Sequence, residues 1–202
     1  MYIVGITGGS GAGKASAAKV LLTFGAETLD CDSIYHDLLS NNAEMTAEIE
    51  AHFNNISTDG KIDRHKLGEL VLNNPESLQK LNSITHKYVN DEIEKSIAAY
   101  RSKGVKIAVI DAIALIESGQ GKKCDLIIGI LAPYKKRVSR IKKRDNLTQE
   151  YAQMRINAQQ PESFYRDNCD YILENIYDTQ AKFEEKCIEF FRYILKENFY
   201  EQ

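Results

Sequence analysis

The run Gly8-Gly9-Ser10-Gly11-Ala12-Gly13-Lys14 holds the residue types that bind polyphosphate. Glycines let successive backbone N–H groups curl into one hollow. A helix beginning where the run ends adds partial positive charge, and Lys14 adds a full one. Such a hollow fits the triphosphate of a nucleotide. Gly9, Ser10, Gly11, Ala12, Gly13, Lys14, Ala15 and Ser16 are therefore its candidate contacts. The pattern asks for Ser or Thr directly after the lysine, to hold Mg²⁺. Ala15 stands there instead, and Ser16 comes one residue later. One step along a helix turns a side chain by about 100°. Ser16 is thus expected to face a phosphate nearer the adenosine, not to replace the missing hydroxyl.

Three carboxylates fall at the ends of apolar runs. Asp30 and Asp32 follow the second run, and Asp111 follows Ile107-Ala-Val-Ile110. Asp32 is the candidate general base, because an acceptor hydroxyl must be oriented and must lose its proton. Asp30 or Asp32 has a plainer alternative role, capping the helix that starts near Ser33. Asp111 is the candidate support for Mg²⁺, directly or through water, since that ion takes few protein ligands. Its alternative is a strand-end aspartate satisfied by a backbone N–H.

Arg137, Arg140 and Arg144 recur at steps of three and four, which places them on one stripe of a helix. A mobile helix of this kind can close over ATP and offset charge on the transferring phosphoryl. The alternative is a solvated basic face. The four histidines share no metal-ligand spacing, and only His86 is a candidate for an acceptor pocket.

Five apolar runs must position these groups: Tyr2–Thr7, Ala26–Asp30, Val105–Asp111, Asp125–Leu131 and Asp170–Leu173. Two of them are almost continuously apolar, as strands buried on both faces are. Helical segments lie between all five. The pattern predicts an α/β fold, a five-stranded parallel sheet with helices on both faces. The long gap between the second and third runs is too long for one crossover and should hold a helical insertion. Within it, Asp59-Gly60 marks a turn, Asp63 caps a helix from Arg64, Asn74-Pro75 opens another, and Ser83 to Ser102 reads as a long helix. Residues 134–168 form a second helical excursion. Thr179 to Asn198 reads as a packing helix, with Phe183, Cys187, Phe190, Phe191, Ile194 and Leu195 on one face. In ligand-binding α/β sheets the site lies beyond the strand C-termini, where the glycine run and the three aspartates fall.

The composition is that of an ordinary globular domain, 43% apolar and 27% charged, with net charge −3. No global charge points to nucleic acid or an anionic membrane. Seven of the ten residues Lys135–Arg144 are basic, so positive charge is concentrated where an anion is met. The four cysteines are far apart and show no zinc or disulfide spacing. Reduced thiols, the absence of a leader-like start and the lack of any membrane-length apolar run together suggest a cytoplasmic protein. The oligomeric state is left open.

Taken in order, these segments resemble the dephospho-coenzyme A kinases nearly end to end. Ile3-Val-Gly-Ile-Thr-Gly-Gly-Ser-Gly-Ala-Gly-Lys14 is similar to that family's nucleotide loop, and Leu29-Asp30-Cys31-Asp32 to its acidic pair. Asp59-Gly-Lys-Ile-Asp63-Arg64 and Leu81-Asn-Ser-Ile-Thr85-His86 resemble its acceptor-side segments. Asp111-Ala-Ile-Ala-Leu-Ile-Glu117 resembles the loop after its third strand. Arg140-Ile-Lys-Lys-Arg144-Asp145 and Arg155-Ile-Asn-Ala-Gln159 resemble its lid, and Asp170-Tyr-Ile-Leu-Glu-Asn175 its last strand and the turn near adenine. Ala15, Lys87 and Asp111-Ala-Ile depart from the usual pattern.

The resemblance implies a single P-loop kinase domain over 1–202, with a helical acceptor (CoA-side) region at 55–104 and a lid at 134–168. It implies transfer of the γ-phosphoryl of ATP, with Mg²⁺, to the ribose 3′-hydroxyl of dephospho-CoA. Lys14, Asp32 and Arg140 would be catalytic. Arg144 and Asn175 would join the nucleotide contacts, and Asp32, Arg64, His86 and Arg155 the acceptor contacts. Two other readings stay open from the residues: a nucleoside or nucleotide kinase of the same superfamily, and a nucleotide-binding module weakened by Ala15.

Overall fold

The computed structural model describes residues 1–58 and 61–197. The first apolar run forms β1 (Tyr2–Thr7), and the glycine run leads from it into α1 (Lys14–Leu22). β2 (Ala26–Asp30) passes directly into α2 (Cys31–Asn41), followed by α3 (Ala43–His52). A small antiparallel hairpin, β3 (Ser57–Thr58) and β4 (Lys61–Ile62), precedes α4 (Arg64–Leu72) and α5 (Pro75–Ser102). Then come β5 (Ile107–Asp111), β6 (Leu126–Leu131), α6 (Tyr134–Asp145), α7 (Gln149–Asn157), α8 (Glu162–Asn168), β7 (Tyr171–Glu174) and α9 (Gln180–Leu195).

The five apolar runs form one parallel sheet in the order β2-β5-β1-β6-β7. β1 sits at its centre, paired with β5 on one side and β6 on the other. The chain crosses β1 in passing from β5 to β6, so the strand order reverses there. A crevice at the strand C-termini opens at such a point, and residues 8–14 start from that end of β1.

Alternation along the strands decides the faces. Val4 and Ile6 of β1, Ile107 and Val109 of β5, and Ile128 and Ile130 of β6 join one buried cluster. Ala17, Val20 and Leu21 of α1 and Phe183, Cys187 and Phe191 of α9 complete that cluster. Each such aliphatic or aromatic side chain contributes roughly 1.5–3 kcal/mol when fully buried. On the opposite face, a side chain at Gly5 would meet Leu115 and Cys124, and one at Gly129 would meet Ile172 and Cys169. α8 packs there with its Tyr165 buried.

Strand starts are finished by carboxylates. Asp125 accepts from the Ile3 N–H, and Asp170 accepts from the Ile127 N–H, both at 2.7 Å. These bonds satisfy backbone donors at the sheet's lower rim, which is why β6 and β7 begin one residue later than the apolar runs suggest.

The chain divides into two compact units, residues 1–29 with 97–202, and residues 30–96. The second unit has its own core, including Leu39, Met45, Ile49, Leu67, Val71 and Ile84. Its helix caps follow the sequence: Asn42 caps α3, and Asp63 caps α4 by accepting from His65 and Lys66. The helix expected from Ser83 instead runs unbroken from Pro75, because no glycine or proline interrupts the segment. The β3–β4 hairpin was not legible, since two-residue strands carry no periodicity. The Asp59-Gly60 turn and the expected helix end at Asn198 lie outside the described residues.

Candidate active site

The glycine run turns sharply at three positions with positive φ: Gly8 (134°), Gly11 (75°) and Gly13 (113°). Gly8 is the most constrained, since an added Cβ there would strike the backbone carbonyl of Ile130. At Gly13 an added Cβ would strike the Asn175 side-chain nitrogen and press on Phe183. Gly13 also begins α1, with no side-chain cap and no acidic residue in the first turn. No acidic side chain in the first turn of α1 offsets its positive end, which suits an incoming anion.

For the N–H groups of such a loop to point inward, its carbonyl groups must turn outward and find partners. The partners are side chains from distant segments. Arg137 Nε donates to the Ser10 carbonyl at 2.9 Å. Arg140 Nη1 donates to the Gly11 carbonyl at 3.1 Å and the Ala12 carbonyl at 3.4 Å. Asn175 Nδ2 donates to the Ala12 carbonyl at 2.8 Å, while its Oδ1 accepts from Arg140 Nη2 at 3.1 Å. Burial draws both guanidiniums below their ordinary pKa. Both arginines stay charged all the same, because a guanidinium is not deprotonated in proteins.

Gln159 completes the arrangement. Its Oε1 accepts from the Ser10 N–H at 2.9 Å and from Arg137 Nη2 at 2.7 Å, and its Nε2 donates to the Ser10 hydroxyl at 2.7 Å. In the sequence, Arg137 stands out only as a member of the basic stripe and Gln159 only as the end of the Arg155-Ile-Asn-Ala-Gln159 segment; neither signal points to Ser10.

Lys14 Nζ lies 3.9 Å from Asp111 Oδ1, and both side chains are about nine-tenths buried. This pairing of a strand-end carboxylate with the loop lysine is the arrangement expected of a phosphate site with a nearby metal position. Asp111 is one carboxylate, and no cluster of three or more His, Cys, Asp or Glu occurs among the described residues. That donor set fits Mg²⁺ held mainly by phosphate and water. Ala15 is exposed on the first turn of α1, and Ser16 is half-buried beside it.

Arg144 and Arg155 meet each other's partner instead of the loop. Both donate to Asp145, Arg144 at 2.6 and 2.9 Å and Arg155 at 2.6 Å. The Arg144 hydrogen bonds, with help from Arg155, hold the Asp145 carboxyl below its usual range.

Asp32, Arg64 and His86 belong to the second unit. Asp30 supplies the cap of α2, accepting from the N–H groups of Asp32 and Ser33 and from the Ser33 hydroxyl. Asp32 occupies the first turn with an exposed side chain. Arg64 Nη2 donates to His36 Nε2 at 2.7 Å. Arg64 also lines a cavity of about 270 Å³ with Ser40, Asn42, Thr46, Glu50 and Lys61. His86 is half-buried on α5, and desolvation lowers its pKa.

Comparison with known proteins follows from this geometry. A family model described as dephospho-CoA kinase matches residues 2–181. A dephospho-CoA kinase of Dehalococcoides mccartyi is 38% identical over 160 residues, 79% of this chain and 81% of that protein. Among solved structures, TT1252 from Thermus thermophilus superposes with a TM-score of 0.77 at 26% identity, covering 96% of this chain and 97% of that one. Dephospho-CoA kinase from Campylobacter jejuni superposes with a TM-score of 0.65 at 26% identity, covering 97% and 98%.

Proposed function

Since the chain belongs to the dephospho-CoA kinase family, we propose the residue roles by which it transfers the γ-phosphoryl of ATP to the ribose 3′-hydroxyl of dephospho-CoA. The observation that carries the reading is the loop of residues 8–14. Its carbonyls are tied outward by Arg137, Arg140 and Asn175, and Lys14 lies at its end.

The Ser10 N–H is held by Gln159 and the Ala12 N–H by the Gly9 carbonyl, so the remaining loop N–H groups and the start of α1 hold the β- and γ-phosphates, joined by Lys14 and, nearer the adenosine, by Ser16. Asn175 and the turn after it stand at the adenine end. Asp32 orients the ribose hydroxyl and takes its proton. Arg64, His86 and Arg155 shape the acceptor pocket. Arg140 steadies the loop from its outer side; as the lid closes, Arg140 and Arg144 exchange their present partners for the charge on the phosphoryl. Catalysis is then mostly positioning and charge neutralisation. Asp111 would hold Mg²⁺, directly or through water, and the ion would supply charge neutralisation at the phosphates. Ala15 offers no hydroxyl, so the ion relies more on Asp111 and turnover is lowered. The setting is cytoplasmic, a reading supported by cysteines that form no disulfide. No helix among the described residues is long and apolar enough to cross a membrane.

An acceptor panel tests the reading. ADP release with ATP should depend on dephospho-CoA and yield a 3′-phosphorylated product. Phosphorylation of nucleosides without phosphorylation of dephospho-CoA would reject it.

A further inference from the structure

Ser10 is almost completely buried, and all three of its polar atoms are held by the segment after the fourth main strand. Its N–H and hydroxyl both go to Gln159, and its carbonyl goes to Arg137. Arg137 closes the ring by donating to the same Gln159 oxygen. A side chain at Gly9 would fall onto Arg137 and Gln159, so the packing is tight.

Gln159 suits this place chemically. One planar amide offers an acceptor with two lone pairs and a separate donor. Its own N–H donates to the Ile156 carbonyl at 3.1 Å, which fixes it to the end of α7. α7 and α6 share a small core of Val138, Ile141, Ala152 and Ile156. Arg137 near the start of α6 and Gln159 just past α7 are thus two ends of one packed helix pair, and both grip one loop residue.

We propose that Gln159 is a positioning residue for the phosphate loop: with Arg137 it sets the Ser10 backbone and ties the loop's conformation to the α6–α7 pair. The proposal rests on reading residues 8–14 as the phosphate cradle. Nothing in it requires Gln159 to touch nucleotide. Its consequence is that movement of the helix pair and ordering of the loop are one event.

The test measures ADP affinity by titration calorimetry and both KM values for the parent, Gln159→Leu, Gln159→Glu, Ser10→Ala and Lys14→Ala. Gln159→Leu should weaken ADP about tenfold and raise the ATP KM alike, leaving the dephospho-CoA KM in place. Gln159→Glu keeps an acceptor for the Ser10 N–H and Arg137, while the Ser10 hydroxyl can turn to donate, so affinity should return to within about threefold of the parent. Ser10→Ala should cost about two- to threefold alone and nothing further beside Gln159→Leu. Parent-like ADP binding by Gln159→Leu, with loss in Lys14→Ala, overturns the proposal and leaves the cradle standing. Equal losses in Gln159→Glu and Gln159→Leu also overturn it. Parent-like binding by Lys14→Ala removes the cradle and the proposal together. Should Gln159→Leu not fold, Gln159→Asn, whose shorter amide draws back from Ser10, takes its place, and parent-like ADP binding by that variant overturns the proposal.

Discussion

The Asn175 amide donates to the carbonyl of Ala12 at 2.8 Å, in a buried bond that joins residues 163 apart in sequence. The same amide's oxygen accepts from Arg140, so one side chain links the loop to the basic helix. Asn175→Leu removes both bonds and leaves the Ala12 carbonyl only its longer contact with Arg140, at 3.4 Å. A buried acceptor stripped of its main partner costs up to about 1–3 kcal/mol. We expect a lower urea midpoint and an ATP KM raised about tenfold, read by chemical denaturation and steady-state kinetics. An unchanged ATP KM would show that Asn175 does not hold the nucleotide loop.

Asp30 and Asp32 should separate cleanly. Asp30 makes the cap of α2, so Asp30→Ala should cost about 1 kcal/mol of stability. Asp32→Ala leaves that cap in place. Its expected effect is on chemistry: kcat lower by about 10²–10⁴ with the ATP KM and urea midpoint close to the parent. ADP release in the presence of dephospho-CoA measures it, and near-parent kcat would remove Asp32 from the role of base.

Ala15 is exposed in the first turn of α1, where a hydroxyl can be added without disturbing the core. Ala15→Ser should raise kcat/KM at limiting Mg²⁺, by about tenfold if the hydroxyl joins the ion's ligands. A titration of rate against Mg²⁺ checks this. Identical curves for parent and variant would refute the account of position 15.

His86 gives a pH dependence with a definite sign. Burial lowers its folded pKa below the ordinary value of 6.5, so the folded state disfavours its proton. In the window below 6.5 the unfolded chain binds more protons. The contribution of neutral His86 is therefore present above that pH and is lost as pH falls towards the folded pKa. Between pH 7.5 and 5.5 the urea midpoint should drop more in the parent than in His86→Gln. Parallel curves would show that His86 does not titrate against folding in this range.

The polyphosphate loop was readable because its requirements are local. Left-handed glycines, a following helix and a lysine at its start are all written within about a dozen residues. The five strands were equally plain, since continuous apolar runs between helices have few other uses. The carboxylates at the ends of β2 and β5 were readable as candidates, but not their division of labour. Capping depends on which side chain turns back to the helix N–H groups, and Asp30 does so.

The basic stripe shows where sequence stops. Helical periodicity put Arg137, Arg140 and Arg144 on one face, as α6 does. Yet seven residues of helix advance about 10 Å, so the first two reach the loop while Arg144 bonds to Asp145. Gln159 was less visible still. Its partners Ser10 and Arg137 lie 149 and 22 residues away. Local order of residue types decided that this chain would make a parallel sheet with an anion-binding turn at its centre. Which side chains lock that turn was settled only when the chain folded, because hydrogen bonds between distant segments leave no period or spacing to read.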